Sequence, residues 1–368
     1  MKIVSFNFDD KLCRKFIDLS WKVNKKNSQW IPPFKRKLTK QLSYDNEFFK
    51  YGTIKNFLAF ENNAVVGRIS AIVNTKATEK NQSIGFLGFF ECIEDYSITS
   101  SLLEEAVKYF HKQGIKIIRG PINFSTWHTY RFMTKGFEQS PFFLEPFNPT
   151  YYPHYFEKYG FKKAMGYCSN LLETPDHQIQ IAEEKSERFL ASGYTIRHID
   201  MSQLQQELQL LYELSTQSFA DAWGFTEISF SEFSNLYDGF HMLIEPEFVL
   251  FAYDSRKKPV GFVFAMPNYA EPIRRMNGKT NILAKLKFLQ ARHKVDTFMV
   301  KTIGIIPEAR QHGIGSILLG QVHKIAKKRG YSKVIYALMR SNNVVIRKMS
   351  DRGGNVFKEY AVYELKLQ

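Results

Sequence analysis

An apolar run, residues 298–306, leads into Pro307-Glu-Ala-Arg-Gln-His-Gly-Ile-Gly315, and an amphipathic helix follows from about Ser316. A strand, a turn with two glycines and a helix N-terminus constrain this region to an α/β unit with an anion cradle at one end. The glycines let backbone approach a phosphate, and the first amides of the helix have no carbonyl of their own helix to bond. Arg310 adds a fork of donors suited to phosphate oxygens. The ATP-type loop is excluded because its Gly-Lys-Ser/Thr end is missing. The full Gly-x-Gly-x-x-Gly dinucleotide fingerprint is missing too.

The residues around this loop read as a complete domain. Residues 194–199 form a strand and 204–219 a helix, with Leu208, Leu211, Tyr212 and Ser215 at helical spacing. Residues 248–253 and 260–266 read as a hairpin. A basic helical segment, 271–294, reads as an insertion. The helix after the loop carries Leu318, Val322, Ile325 and Ala326 on one face and closes at Gly330. A strand at 333–338, a short helix at 343–352 and a closing strand at 356–367 complete the domain.

The N-terminal half repeats this order. Strands are expected at 54–61, 64–73 and 83–92, with a turn at Asn62-Asn63. Ser101-Leu-Leu-Glu104 reads as a capping box opening a helix that stops at Gly114. A strand at 115–118 and a helix at 151–159, ending at Gly160, follow. We read the chain as a tandem duplication: 1–175, a linker at 176–193, and 194–368. The fold class is α/β, with a mixed sheet in each copy. Between strand and helix the N-terminal copy has Glu91-Cys-Ile-Glu-Asp-Tyr-Ser97, with three acids and no glycine. Those charges would repel a pyrophosphate, so one cofactor site is expected, in the C-terminal copy.

The spacing Arg310-x-x-Gly313-x-Gly315 resembles the pyrophosphate loop of the GNAT acyltransferase superfamily. Asn343 followed by Gly353-Gly354 resembles that family's second motif. The whole chain is similar to uncharacterised bacterial two-domain GNAT proteins, through Gly120-Pro-Ile-Asn-Phe-Ser125, Phe142-Phe-Leu-Glu-Pro-Phe-Asn-Pro149 and Trp223-Gly-Phe225. Relatives in that group attach long acyl chains to sphingoid amines. The resemblance implies an acyl-CoA co-substrate, acetyl or longer, and attack of a primary amine on its thioester. Ile303, Ile305 and Ile306 would line the pantetheine arm and supply an oxyanion amide. Arg310, Gln311, His312, Gly313, Ile314, Gly315, Ser316 and Asn343 complete the expected cofactor set.

Catalytic and acceptor residues are less constrained. The family tyrosine that protonates the leaving thiolate has its counterpart at Ser350, so Tyr360 and Tyr363 are candidate substitutes, with core packing as the alternative. A thiol pKa near 8.5 also makes unassisted departure tolerable. Asp221, Trp223 and Phe225, after the first helix of the second copy, and Tyr130, in the cluster Trp127-His128-Thr129-Tyr130-Arg131, are candidates for acceptor binding.

Composition narrows the partners. The net charge of +15 suits a nucleotide-bearing cofactor, nucleic acid or an anionic membrane surface, with a lysine-rich solvated exterior as the alternative, and the 33 Phe and 19 Tyr among 368 residues suit filled cores or an apolar channel or patch. Cys13, Cys92 and Cys168 form neither a disulfide framework nor a metal site, and no metal is expected. The expected location is cytoplasmic, in peripheral contact with the inner membrane face where the acceptor is a lipid amine. An aminoacyl-tRNA-dependent transferase and a non-catalytic acyl-CoA-binding protein are the alternatives. The intact loop argues against the first, and no specific nucleic acid is expected.

Overall fold

The structure is a computed structural model and describes residues 1–173, 176–343, 347–348 and 354–367. In chain order its elements are β1 (Lys2–Phe6), α1 (Asp10–Val23), α2 (Lys35–Gln41), β2 (Gly52–Glu61), β3 (Ala64–Glu79), β4 (Gln82–Cys92), α3 (Tyr96–Lys112) and β5 (Ile117–Gly120). Next come β6 (Phe132–Lys135), α4 (Tyr151–Tyr159), β7 (Lys162–Leu172), α5 (Asp176–Ala191), β8 (Thr195–His198), α6 (Leu204–Phe219) and α7 (Phe230–Leu236). The remainder is β9 (Val249–Tyr253), β10 (Pro259–Pro267), α8 (Ala270–Met276), α9 (Ile282–Arg292), β11 (Thr297–Ile305), α10 (Ile314–Lys328), β12 (Lys333–Arg340) and β13 (Gly354–Lys366).

Local chemistry explains most of these boundaries. The β2–β3 hairpin turns on Asn62 and Asn63, both left-handed at φ 46° and 64°, a conformation that asparagine tolerates. The capping box expected at Ser101 is overturned. The helix starts earlier, because the Asp95 carboxylate accepts from the Ser97 amide at 2.7 Å. Ser101 lies inside α3, and its hydroxyl donates to the Ser97 carbonyl at 2.8 Å.

The chain forms two compact units. Unit 1 holds Met1–Gly166, Ala270–Arg292 and Glu359–Gln368; unit 2 holds Tyr167–Tyr269 and His293–Lys358. In unit 1, β1 to β4 are antiparallel neighbours, β5 runs parallel to β4, and the end of β13 pairs antiparallel with β5. Phe110, Tyr152, Phe156 and Tyr363 belong to its core. Unit 2 repeats the plan: β8 to β11 are antiparallel, β12 runs parallel to β11, and the end of β7 pairs antiparallel with β12.

Strand pairing therefore places residues 167–172 in unit 2 and 359–366 in unit 1. The units interleave along the sequence, unlike the contiguous segments 1–175 and 194–368. The stretch read as a linker forms α5, a helix packed on α10. A Cβ placed on Gly320 would lie 2.0 Å from the Ala182 Cβ, so the two helices approach as closely as glycine allows. The inserted helices α8 and α9 belong to unit 1, where the Arg274 guanidinium donates to the Ser28 carbonyl at 2.8 Å.

Candidate functional site

Strand β11 pairs with β12 only from Thr297↔Lys333 to Val300↔Tyr336. Its register with β10 slips between Thr302 and Val300, leaving Lys301 as a bulge residue. From Lys301 to Ile305 the strand has β10 on one side and no neighbour on the other among the described residues. The two parallel strands thus part from Lys301 onward. The backbone on that open edge offers main-chain groups to an extended ligand arm.

Beyond the strand, Pro307–His312 forms a 3-10 turn, Gly313 is left-handed at φ 70°, and α10 starts at Ile314. Three glycines here are glycine for three different reasons. Gly313 supplies the left-handed corner. Gly304 is held by packing, because a Cβ would sit 2.5 Å from the Phe262 ring and 3.0 Å from Ser218 Oγ. Gly315 has neither reason. Its φ is not left-handed, and a Cβ there would meet only Ile303 Cδ1, at 3.6 Å. The space over Gly315 is open at a helix N-terminus, where unbonded amides and the helix dipole favour an anion.

The side chains of the loop divide between bracing and binding. Arg310 donates from Nε to the Ile305 carbonyl at 3.3 Å and from Nη2 to the Ser218 carbonyl at 3.0 Å. Much of its fork therefore ties the turn to the end of β11 and to α6, rather than being reserved for a ligand. His312 Nδ1 lies 3.3 Å from the Ala309 carbonyl, and its ring rests 5.7 Å from that of Tyr194. Gln311 is exposed, and Ile314 is buried beneath the loop. Sequence reasoning missed Lys185 on α5, whose Nζ lies 3.5 Å from Ser316 Oγ and whose Cδ is 3.9 Å from a Cβ position on Gly313. An ammonium thus stands at the cradle's edge. Only the docking of α5 on α10 brings it there.

Lys301 was also missed. It is half-buried, with Nζ 5.6 Å from the Tyr237 ring centre and 5.5 Å from that of Phe264, and burial pulls its pKa down to about 8. Burial also raises the Tyr237 phenol. Beside Gly304, the buried Ser218 hydroxyl has no hydrogen-bond partner among the described residues.

The remaining predicted residues fall into separate groups. Asp221, Trp223 and Phe225 occupy the turn after α6, the helix that Arg310 ties to the loop, and Gly224 is left-handed at φ 71°. The Asn343 carbonyl accepts from the Arg347 amide at 3.1 Å, and most of the helix expected at 343–352 lies outside the described residues. Ser350 and Gly353 lie outside the described residues. Tyr360 and Tyr363 are interior residues of unit 1, and their hydroxyls donate to Glu145 at 2.5 Å and Glu157 at 3.0 Å. Each hydroxyl is committed to a carboxylate inside that unit, so packing is the role the geometry gives them. Tyr130, also in unit 1, lies under the Arg131 guanidinium at 3.8 Å. His128 bonds Ser125 through Nδ1 at 3.1 Å, and burial lowers its pKa to about 3.

The corresponding place in unit 1 is filled by protein. There β4 and β5 pair only from Ile84↔Ile117 to Phe86↔Arg119. The Ile122 amide then donates to the Leu87 carbonyl at 2.8 Å, and the Asn123 side chain accepts from the Phe89 amide at 2.8 Å. A Cβ on Gly88 would lie 2.7 Å from the Ile122 carbonyl oxygen. Glu91 is bonded to Ser20 and Tyr152, at 3.1 and 2.8 Å, and Asp95 caps α3.

A splayed parallel strand pair, a bulge on the leading strand and a glycine turn into a helix N-terminus together fit a GNAT-type domain. Residues 208–349 match the family model described as Acetyltransferase (GNAT) family, so this part of the chain is a GNAT-family domain. The chain's relatives include the bacterial ceramide synthase of Caulobacter vibrioides, 27% identical over 364 residues, covering 96% of this chain and 94% of that protein. Protein YghO of Escherichia coli K12 is 24% identical over 346 residues, covering 92% and 88%. Among solved structures, the tandem GNAT protein from the clavulanic acid biosynthesis pathway aligns with a TM-score of 0.56 at 9% identity, over 99% of this chain and 98% of that one. That structural likeness supports a two-domain GNAT architecture.

Proposed function

We propose that the protein is an acyl-CoA-dependent N-acyltransferase that moves an acyl group, acetyl or longer, onto a primary amine by direct attack. The observation carrying this reading is the open cradle over Gly315, a glycine that the protein's own packing does not require. In this reading the amides of residues 313–316 hold the pyrophosphate, with Lys185 adding charge. The pantetheine arm lies along the open edge of residues 301–305, and an amide of that edge stabilises the oxyanion. Asp221, Trp223 and Phe225 are the proposed acceptor-side residues in unit 2, and Tyr130 is the corresponding candidate in unit 1. Lys301 is the proposed proton acceptor for the attacking ammonium, because a lysine with a pKa near 8 is partly neutral at working pH. The thiolate leaves unassisted or takes its proton from the region around Ser350.

The similarity to a protein named bacterial ceramide synthase favours a long acyl donor and a lipid amine acceptor, in peripheral contact with an anionic membrane. Native mass spectrometry of the purified protein, followed by thiol release from a series of acyl-CoA chain lengths with pooled amines, tests the reading. Bound acyl-CoA and amine-dependent thiol release are expected. Release that does not depend on an amine, or no binding of any acyl-CoA, overturns it.

A further inference from the structure

Helix α9 exposes a stripe of large apolar side chains. Ile282, Leu283, Leu286 and Leu289 are 77%, 69%, 56% and 47% exposed, whereas Ala284, Phe288 and Ala291 are buried beneath the helix. At 3.6 residues per turn the four exposed side chains span an arc of about 120°, turned away from the buried face. Lys285 and Lys287 flank this arc, one on each side. Residues 272–295 contain seven Lys or Arg and no Asp or Glu. Glu271, just before them, is bonded to Arg274 and Arg275 at 2.7 and 2.9 Å. The turn between α8 and α9 rests on Trp21 and Pro33, and the segment between those two residues exposes Lys25 and Lys26.

We propose that α9 is a membrane-docking helix, which lies in the plane of an anionic bilayer surface with its apolar stripe among the acyl chains and Lys285 and Lys287 at the headgroups. The pattern is that of an interfacial helix: a cationic border on both sides of an apolar face, with long lysine stems that reach back to the headgroup level. Acidic lipid supplies the complementary charge. A protein partner fits less well, because one face of an 11-residue helix falls far short of the roughly 1,200 Å² that stable protein interfaces bury. The surface is argued from α9 alone and stands apart from the acyl-transfer reading.

Flotation of the full chain tests the proposal, with vesicles of phosphatidylcholine and with an equimolar mixture of phosphatidylcholine and phosphatidylglycerol. The wild type is expected to float with the anionic vesicles and to be released by salt. Leu283→Glu with Leu286→Glu should abolish flotation. Lys285→Glu with Lys287→Glu should reduce the anionic preference roughly tenfold or more. All four substituted side chains lie on the exposed side of α9, so unchanged melting temperatures would show that the variants fold. Thiol release with a water-soluble amine should persist in both variants, which separates loss of docking from loss of chemistry. Undiminished flotation of the double-leucine variant overturns the proposal. So does failure of the wild type to bind either vesicle, or a wild-type dimer in vesicle-free solution that the leucine substitutions dissociate.

Discussion

Gly315 separates two kinds of glycine that a sequence motif cannot tell apart. Gly313 is needed for the shape of the turn, whereas Gly315 is needed only if something approaches the backbone. Gly315→Asp should therefore leave folding nearly intact and weaken acyl-CoA binding by roughly a hundredfold, ~3 kcal/mol, measured by calorimetric titration beside a thermal melt. Arg310→Ala should do the reverse in part. Removing two charged hydrogen bonds to backbone costs on the order of 2 kcal/mol of stability, with a smaller effect on binding per unit of stability lost. Lys301 makes a pH prediction. A neutral amine is required to take a proton, so turnover should rise as pH climbs through about 8, and Lys301→Met should lose that limb. Stability supplies an independent readout. The native state holds this lysine's pKa at about 8 against an ordinary 10.5, so the unfolded chain binds more protons between those values and stability rises with pH across that window. The motif glycines and Arg310 could be read from the sequence because they are neighbours in it. Lys185 and Lys301 could not, since a helix docking and a strand bulge create their environments.

Elements show where local signals suffice. Helix α6 spans Leu204–Phe219, as its apolar spacing predicts, and the Asn62-Asn63 turn is fixed by residue chemistry alone. Helix α3 shows how a weaker signal misleads: the Ser101 box resembled a start, but Asp95 provides a better cap upstream. Helix α5 was hidden for another reason. Its buried face is only Gln178, Ala182 and Phe189, too sparse to stand out from a polar linker. Its close contact with α10 is nonetheless demanding. Gly320→Ala should destabilise the protein by about 1–3 kcal/mol through overpacking against Ala182. It should also raise the KM for acyl-CoA, since α5 carries Lys185; a melt and a saturation curve on the same sample would check both.

At the scale of the molecule, the repeated order of strands and helices was visible in the sequence, while the exchange of closing strands was not. Pairing between segments far apart in sequence leaves no local trace. Residues 194–368 expressed alone would lack 167–172, leaving β12 with an unpaired edge on that side. Residues 1–193 alone would lack 359–366, leaving β5 open in the same way. Both fragments should aggregate or show low, uncooperative melting, as unpaired edges invite association. Co-expression of the two should recover soluble material, measured by co-purification through a tag on one fragment.

The pairing of β13 with β5 also sets an order of events during synthesis. The ribosome makes β5 well before β13, so the first unit stays unfinished while the residues between them are synthesised. That unit can close only once β13 has been made, which leaves a strand edge for a chaperone to shield in the meantime.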